Sequence, residues 1–453
     1  MTKKSGDFPH KSLLKKLASQ ARSITSLFEP KKMEQHGFLW LIGIMVVACM
    51  AAILIFETHE EETTFVTDNG TWNIASNLVN GNGFSACDSN YFPFCSPSNQ
   101  TTAMREPIPV FFMVVSMAIS PDEDSGLIMQ AVLYLLTALA LYFGLKKEDV
   151  RLALLATLLW VVSIPVVKEM GDDTGHMAAA FFFTNGMILF LRGYRDQKLT
   201  NFIFSGILFG IASLSRTVEL GIAVGLGFVF LALQVGTKNM KGIAHAIVFL
   251  GMIGLIFSPW VIRNKIALDA PVIGSTLTGY NLYRMNYFLG DEPFRPHYVG
   301  AKEGIQAIQQ LMETSAAGEL AGTENEAQMN DFYMAAGKEI ILQYPFRYVL
   351  LSLYRFLILW FNLGFHAAYG MKFLIRDYLA IFQQIFFLFA VIIGSIKKPK
   401  EYWPLTLSIL LGCGAYMTVG AAQLRYVIDL MPSMVILSAV AVLTPWRAKQ
   451  AVD

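Results

Sequence analysis

The sequence predicts an all-α polytopic membrane protein, and three observations support this fold class. The chain has 453 residues, of which 54% are apolar and only 15% are charged, whereas an ordinary soluble protein is about 25% charged. Its mean hydropathy is +0.47. Apolar runs of about 17–20 residues recur along the chain, and each is long enough to cross roughly 30 Å of hydrocarbon.

The apolar runs predict about ten transmembrane helices. Segments 107–119 and 345–363 are also apolar, but counting them as spans would move the acidic loops to the inside and the lysine-rich loops to the outside. We therefore expect interfacial or re-entrant helices there, with Arg347 and Arg355 reaching toward lipid head groups. The ten spans are predicted at 38–56, 126–145, 152–168, 176–193, 200–215, 219–236, 242–260, 377–395, 403–420 and 427–444.

The charge of the loops predicts the orientation of these spans. Lysine and arginine concentrate in the N-terminal arm and in every second loop, while the loops between are acidic or mixed. Because basic loops favour the cytoplasmic side, ten spans place both termini in the cytoplasm. The predicted organisation is a basic arm at 1–37, which is too long for a cleavable signal peptide, a membrane domain at 38–445 and a tail at 446–453.

Two predicted outer loops are long, the first at 57–107 and the fourth at about 262–375. Loops longer than about 12–15 residues are usually functional or disordered, and the aromatic residues in these two favour order. Cys87 and Cys95 share the first loop and can form a disulfide in an oxidising compartment, with two free thiols as the alternative. The stretch 303–339 is helical in pattern and polar, which suggests a movable flap.

The stretch 68–84 of the first outer loop is the most informative part of the chain. Four of its residues recur at intervals of three and four, which predicts one face of a short helix: Asp68, Trp72, Ala75 and Leu78. A carboxylate held near the bilayer surface by such a helix is a candidate catalytic base. A solvated loop aspartate is the alternative.

The predicted spans contain almost no charged residues. His245 and Asp429 are the notable ionisable residues at depth, and both are expected near span ends. Ion-coupled transporters usually carry such groups at the membrane midplane, so this pattern favours an enzyme that works at the outer membrane surface. No CxxC or His cluster indicates a structural zinc site. Nucleotide-binding glycine loops and nucleic-acid motifs are absent from the sequence, which argues against a cytoplasmic ATPase and against a nucleic-acid partner.

The first outer loop resembles the multi-pass GT-C glycosyltransferases, in particular the bacterial branch related to protein O-mannosyltransferases and the lipid A aminoarabinose transferase. That family has an acidic residue after the first span, an aromatic residue four positions later, and then Ala, Leu and a Gly-x-Gly-aromatic turn. The matching residues here are Asp68, Trp72, Ala75, Leu78, Gly81, Gly83 and Phe84. Two departures, Asn69 for a second acidic residue and Trp72 for tyrosine, leave Glu60, Glu61 and Glu62 as alternative carboxylates.

Other motifs of the same branch follow in family order from about residue 38 to 445. Residues 102–109 resemble a Thr-Ala-x-Arg-x-Pro segment, and Pro259-Trp260-Val261-Ile262-Arg263-Asn264 is the sharpest match. Smaller matches are the stretch 275–283, Leu214-Ser215-Arg216 and Arg425-Tyr426.

The resemblance implies an inverting transferase whose donor is a sugar carried on a polyprenyl phosphate at the outer leaflet. Asp68 would be the base, and Arg105 and Arg263 would bind the donor phosphate, because fixed cations stabilise the leaving group. An arginine that only reaches lipid head groups is the alternative for Arg263. Weaker candidates for substrate binding are Trp72, Glu106, Asp172, Asp173, Arg216, Asn281, Tyr283 and Arg425.

Asp172, Asp173 and His176 form a weak candidate site for a divalent cation, with a solvated loop as the alternative. The expected location is a bacterial inner membrane with the active site facing the periplasm. The expected partners are membrane lipid, the polyprenyl-phosphate sugar and an acceptor, for which protein, glycolipid and polysaccharide stay open. Alternative functions are transfer of another lipid-linked group, a lipid-linked glycan flippase or transporter, and a non-catalytic accessory subunit.

Overall fold

The computed structural model describes residues 30–59, 70–88, 91–95, 100–120, 125–168, 170, 175–294, 301–314, 320–361, 375–419 and 424–450. Within these ranges the chain forms seventeen α-helices and two short 3-10 helices, and its β pairing is a single bridge between Ser85 and Thr101. The predicted all-α fold class is confirmed. Asp68, Asp172 and Asp173 lie outside the described residues.

The helices are named here in chain order. They are α1 (Pro30–His59), α2 (Thr71–Val79), α3 (Pro107–Ile119), α4 (Ser125–Leu145), α5 (Val150–Val161), α6 (Ile164–Lys168), α7 (His176–Asp196), α8 (Leu199–Ser215), α9 (Thr217–Gly236), α10 (Met240–Leu268), α11 (Leu277–Arg284), α12 (Ala301–Thr314), α13 (Glu326–Gln343), α14 (Pro345–Phe361), α15 (Ile375–Lys397), α16 (Pro399–Val419) and α17 (Met431–Gln450). The 3-10 helices are Tyr287–Gly290 and Leu424–Val427.

Six helices among the described residues are long and apolar enough to cross a membrane. They lie in α1, α4, α7, α9, α10 and α15, and each coincides with a predicted span. Such helices are about 20 residues long, the length that a hydrocarbon core requires. The chain is therefore an integral membrane protein with several apolar helices.

The four other predicted spans are not among these six helices. The segment predicted at 152–168 is divided into α5 and α6, because Pro165 has no backbone N–H with which to continue α5. Helix α8 has 17 residues, α16 carries charged residues in its first turn, and the apolar part of α17 is Met431–Thr444. The count of ten spans thus stays a prediction.

A large apolar core joins the helices of the bundle. Two of its buried aromatic side chains are hydrogen-bonded to backbone carbonyls, which offsets the cost of burying their polar groups. The Tyr134 hydroxyl of α4 donates to the Val161 carbonyl (2.7 Å), and the Trp160 indole N–H donates to the Tyr134 carbonyl (3.1 Å). These bonds fix α4 against the end of α5.

The two long outer loops pack against each other around a second apolar core. This core contains side chains of α2, α11, α12 and α13, among them Ala75, Tyr280, Ile308 and Tyr333. The predicted short helix after the first span is confirmed as α2 for Trp72, Ala75 and Leu78, which all contribute to the core. Asp68, predicted on the same face, precedes the first residue of α2, Thr71, and lies outside the described residues. Cys87 and Cys95 form a disulfide with their Cα atoms 5.6 Å apart.

One expectation about the second long loop is confirmed and another is wrong. The stretch 303–339 contains two helices, α12 and α13, as its pattern predicts, and Ile308, Met329 and Tyr333 bury one face of them in the outer core. Its role as a movable flap stays a prediction. Arg355 is only 3% exposed and donates to the Met285 carbonyl (2.5 Å), and Arg347 donates to the Leu289 carbonyl (2.9 Å). These arginines satisfy the carbonyls of the loop instead of reaching lipid head groups.

Candidate functional site

Residues 102–106, here called the motif segment, connect the single β-bridge to helix α3. The Thr102 amide donates to the Phe84 carbonyl (3.2 Å), so the segment continues the pairing between Ser85 and Thr101. The Thr102 carbonyl accepts from Nη1 of Arg263 at 2.6 Å. Both backbone polar groups of Thr102 are therefore bonded, as expected for buried backbone.

Glu326, the first residue of α13, binds the same segment from the second long loop. Its Oε2 accepts from the Ala103 amide and from the Thr276 hydroxyl, both at 3.0 Å, and its Oε1 accepts from the Thr102 hydroxyl. Glu326 is 3% exposed. Burial raises the pKa of the Glu326 carboxyl above its usual range, although these hydrogen bonds oppose the increase.

The Pro-Trp-x-x-Arg-Asn motif attaches the end of α10 to both outer loops. The Trp260 indole donates to the Gly274 carbonyl (2.9 Å) and the Asn264 amide to the Val272 carbonyl (3.1 Å). Arg263 reaches the first loop, where Nη2 donates to the Phe84 carbonyl at 3.0 Å. Nη1 and Nη2 of Arg263 thus both donate to backbone carbonyls here, and its binding of phosphate stays a prediction.

Arg105 lies beside the start of α2. Gly70, which precedes α2, has φ +70°, and a Cβ placed there would be 3.8 Å from Nε of Arg105 and 2.2 Å from Cε of Met104. Only glycine fits this close approach in the left-handed region. The fold thus brings Gly70 close to Arg105.

Glu106 joins the motif segment to the corner between α8 and α9. Its Oε1 accepts from the Thr217 hydroxyl (2.7 Å) and from the Thr217 amide (3.2 Å). Thr217 is the first residue of α9 and directly follows Arg216. Gly274 lies beside this contact and has a φ of +82°. A Cβ at this position would be only 2.0 Å from the Thr217 hydroxyl.

The mouth cluster, defined here as His176, Arg216, Tyr416, Tyr426 and Asp429, lies beside that corner. Asp429 is fully buried and accepts from Nδ1 of His176 (2.8 Å) and from the Tyr416 hydroxyl, and it pairs with Nε of Arg216 (3.1 Å). Burial lowers the pKa of Arg216, but the charge of Asp429 and the smaller contributions of Tyr416, Tyr426 and Glu106 together raise that pKa. The cluster thus compensates a half-buried cation with a fully buried carboxylate.

Aromatic rings complete the mouth cluster. The rings of Tyr416 and Tyr426 stack with centroids 4.8 Å apart, and the Arg216 guanidinium lies 5.3 Å from the Tyr426 ring centroid. Arg425 lies 5.9 Å from the same centroid. These contacts are within the range of cation–π interaction and restrict the orientation of Arg216.

The sequence analysis missed several residues of this region as site candidates. Among them are Thr217, which binds Glu106, Glu326, which binds the motif segment, and Glu219, a fully buried carboxylate near Asp429 and Arg216. The sequence analysis names Asp429 only as an ionisable residue near the end of a span. Ionisable residues within membrane spans are rare, so Asp429 is the residue whose position in the sequence points to the cluster.

The structure brings some predicted site residues together and separates others. Those at the mouth cluster or the motif segment are Arg105, Glu106, His176, Arg216, Arg263 and Arg425. Tyr283 is instead buried in the outer core, and Asn281 lies half-buried on the same helix, α11. Trp72 lies half-buried on α2, close to Gly70.

The predicted divalent-cation site is not tested, since Asp172 and Asp173 lie outside the described residues. His176 uses its Nδ1 for Asp429, and because a carboxylate only accepts hydrogen bonds, this nitrogen carries a proton. In the described ranges, no cluster of three or more His, Cys, Asp and Glu side chains is arranged to hold a metal.

A protein-family model matches part of the chain. Residues 104–262, about a third of the chain, match the family described as dolichyl-phosphate-mannose-protein mannosyltransferase. Arg105, Glu106 and Arg216 lie inside the matched stretch, and Asp68 and Arg263 lie outside it. No curated protein sequence matches the chain.

Two solved structures of an oligosaccharyltransferase from Archaeoglobus fulgidus are similar to the chain. The apo form has 16% identity and a TM-score of 0.51 over 91% of this chain and 52% of that one. The archaeal enzyme AglB in complex with an inhibitory peptide and a dolichol-phosphate has 15% identity and a TM-score of 0.49 over 92% and 52%. The chain spans about half the length of these proteins, and the likeness to the apo form is one of fold alone.

The family match covers several of the motifs on which the resemblance rests. The matched stretch runs from the motif segment through the mouth-cluster residues His176 and Arg216 to the sharpest motif, which begins at Pro259. The family match thus supports the resemblance predicted from the sequence over residues 104–262, about a third of the chain.

Proposed function

We propose that the chain is an inverting glycosyltransferase that moves a sugar from a polyprenyl-phosphate donor to an acceptor hydroxyl at the outer face of the membrane. The observation that carries this proposal is the contact between Glu106 and Thr217. It joins two site cations that are 111 positions apart in the chain, because Arg105 precedes Glu106 and Arg216 precedes Thr217.

The two arginines suit a phosphate leaving group. As the bond between the anomeric carbon and the phosphate oxygen breaks, negative charge grows on the polyprenyl phosphate. Cations that are already oriented stabilise this charge without reorganisation. Arg216 is held by Asp429 and Tyr426, and Arg105 extends from a hydrogen-bonded segment, so both meet that condition. Arg263 supports the same segment and is retained as a candidate phosphate ligand.

Asp68 is the proposed base. In the reaction, its carboxylate takes the proton of the acceptor hydroxyl while the hydroxyl oxygen attacks the anomeric carbon from the face opposite the phosphate. The electrons of the broken bond leave with the polyprenyl phosphate, and the configuration inverts. The position of Gly70 against Arg105 supports this assignment, because it brings the chain just after Asp68 close to the proposed phosphate site.

The proposed topology has ten spans, both termini in the cytoplasm and the site on the periplasmic side of a bacterial inner membrane. The alternating charge of the loops supports it. The proposed acceptor is a hydroxyl on a protein, glycolipid or polysaccharide of the cell envelope. Specificity among these depends on the shape of the acceptor pocket, which residues of the outer loops would form.

A complementation experiment tests the function. Envelope glycans and glycoproteins of a deletion strain are compared by mass spectrometry after expression of the wild type, Asp68→Ala or Arg105→Ala, at matched membrane abundance. Combined replacement of Glu60, Glu61 and Glu62 by alanine is the control for the alternative carboxylates. We expect one sugar mass to be lost in the deletion strain and restored by the wild type and the control.

The outcomes separate the candidate functions. Restoration by Asp68→Ala but not by the glutamate variant would move the base to Glu60, Glu61 or Glu62. Full restoration by both Asp68→Ala and Arg105→Ala would overturn the proposal in favour of an accessory subunit. Accumulation of unmodified lipid-linked sugar on the cytoplasmic side would favour a flippase.

A further inference from the structure

The backbone of the motif segment is fixed completely at two residues. At Thr102, the amide and the carbonyl bond to Phe84 and Arg263. At Ala103, the amide donates to Glu326 and the carbonyl accepts from the Thr276 amide at 3.0 Å. Since a buried backbone group without a partner is costly, losing one partner is expected to loosen the segment that carries Arg105.

Glu326 contributes more of these bonds than any other side chain described around Thr102 and Ala103. It binds the Thr102 hydroxyl and the Ala103 amide, and the Thr102 hydroxyl in turn accepts from the Met104 amide at 3.0 Å. The chain of contacts therefore runs from the start of α13 to the residue before Arg105. Glu326 is 223 positions away from Ala103 in the chain, so this link exists only in the folded protein.

We propose that Glu326 is a positioning residue, which fixes the motif segment from the second long loop and so orients Arg105 toward the phosphate of a polyprenyl-phosphate donor. The inference rests on the proposed function for its ligand. The structural link between Glu326 and the motif segment does not depend on the proposed function. Glu326 itself is not proposed to touch the donor.

The hydrogen bonds of Glu326 allow its positioning role to be tested separately from any effect of its negative charge. A glutamine can place its carbonyl oxygen where Oε2 accepts from Ala103 and Thr276, and its amide nitrogen can donate to the Thr102 hydroxyl. Glu326→Gln thus keeps the positioning bonds and removes the charge, whereas Glu326→Ala removes every bond. If Glu326 acted through its charge on Arg263, glutamine would fail as alanine does.

Asn325 provides a matched control at the adjacent position. Its side chain caps α13 by accepting from the Ala327 and Gln328 amides, both at 3.0 Å. Asn325→Ala is expected to weaken the start of α13, since the loss of a cap costs about 1 kcal/mol. It leaves the bonds from Glu326 to the motif segment in place, so it separates loss of helix stability from loss of positioning.

Two measurements on the purified full-length protein test the proposal. The first is hydrogen exchange, by mass spectrometry, of peptides that cover 100–108. The second is titration with undecaprenyl phosphate in detergent, followed by tryptophan fluorescence. We expect Glu326→Ala to speed exchange at Ala103 and Met104 and to weaken binding about tenfold, as loss of roughly 1.4 kcal/mol would. Glu326→Gln should stay within about twofold of the wild type, and Asn325→Ala should affect only exchange within α13.

Specific results would overturn the inference. These are unchanged exchange and binding in Glu326→Ala, an equal effect of Asn325→Ala on 100–108, or failure of Glu326→Gln to rescue. If Glu326→Ala does not fold, Thr102→Val replaces it, because valine keeps the volume and removes the hydroxyl that joins Glu326 to Met104. If the wild type does not bind undecaprenyl phosphate, the proposed donor is wrong, and the exchange comparison still tests the positioning link.

Discussion

The mouth cluster and the motif segment hold their arginines by different physical means. Arg216 is held by a fully buried carboxylate at 3.1 Å, in a region that joins α7, α9 and α16. Arg105 extends from a segment whose neighbours are held by hydrogen bonds to backbone groups. A buried charge pair depends on both partners, whereas a set of hydrogen bonds weakens by about 1 kcal/mol for each bond lost.

The difference predicts how each region responds to substitution. Removing one charge of the mouth cluster leaves another buried without compensation, so the response is abrupt. Removing one bond of the motif segment leaves the remaining bonds in place, so the response is graded. Changes in the mouth cluster should therefore cost more stability than changes in the motif segment, although both should weaken donor binding.

The largest effect is expected for Asp429→Asn. Asparagine keeps the shape but not the charge, so the half-buried Arg216 loses its counter-ion. Breaking a buried pair from one side costs about 3–5 kcal/mol. We expect a large fall in the free energy of unfolding and a loss of donor binding, measured by thermal melting of the detergent-solubilised protein and by undecaprenyl phosphate titration.

The exposed pair of Lys265 and Asp269 is the control for this prediction. Its atoms are 2.9 Å apart, close to the distance in the buried pair, but the Asp269 side chain is 94% exposed. Surface ion pairs contribute little, so Lys265→Ala should leave the melting temperature unchanged. Equal effects of the two substitutions would show that burial does not distinguish the two pairs.

The sequence predicts the parts of this molecule that depend on local pattern. Helical spacing predicts α2 from Trp72, Ala75 and Leu78, and the length of apolar runs predicts the six helices that can span a membrane. Asp429 was recognisable as an unusual ionisable residue, because charges at membrane depth are rare. The partners of Asp429 could not be recognised in this way, since no local sequence pattern connects Asp429 to His176 or Arg216.

The remaining site residues could not be predicted because their roles arise from long-range contacts. Glu326 bonds to Thr102, 224 positions earlier, and neither residue carries a periodic signal that marks the pair. Arg263 belongs to the sharpest motif, but the sequence does not reveal that its guanidinium meets two carbonyls. Pro165 is a local signal against a single helix at 152–168, because proline lacks the backbone N–H that a continuous helix needs.

A substitution at the junction of the two regions comes next in expected effect. Gly274→Ala would place a Cβ 2.0 Å from the Thr217 hydroxyl and so displace the contact with Glu106. Gly322 has a similar φ of +79° but nothing within 4 Å. Gly322→Ala should cost about 1–2 kcal/mol from backbone strain alone, and Gly274→Ala a further 1–3 kcal/mol, roughly, from the collision.

Only Gly274→Ala is expected to weaken binding of undecaprenyl phosphate, since a Cβ at Gly322 would have nothing within 4 Å. Thermal melting and titration of both variants measure the two effects. Equal losses of stability and equal affinities would mean that the contact between Glu106 and Thr217 does not connect the two regions.

Arg263→Lys tests the motif segment with a smaller change. Lysine keeps the charge, but its single ammonium cannot meet the carbonyls of Thr102 and Phe84 in the planar geometry of a guanidinium. We expect a loss of about 1.5–3 kcal/mol in the free energy of unfolding, together with faster hydrogen exchange at 100–104. Weaker donor binding without either change would instead identify Arg263 as a direct ligand of the phosphate.

The smallest effect concerns the pH dependence of stability. Burial raises the pKa of Glu326 above its usual value of 4.5, so ionisation is harder in the folded protein than in the unfolded chain. The stability that this group contributes is present in full below pH 4.5 and is lost as the pH rises through the raised pKa. Each pH unit between the two pKa values corresponds to about 1.4 kcal/mol.

Glu326→Gln cannot ionise and should remove this dependence while keeping the hydrogen bonds to the motif segment. Melting temperatures of the wild type and the variant are compared from pH 4.5 to pH 8, and we expect the wild type to lose stability relative to the variant as the pH rises. Parallel curves would mean that Glu326 has an ordinary pKa. If the wild type is instead more stable than the variant at high pH, the charge of Glu326 itself holds the segment. The motif segment would then depend on a buried charge, as the mouth cluster does.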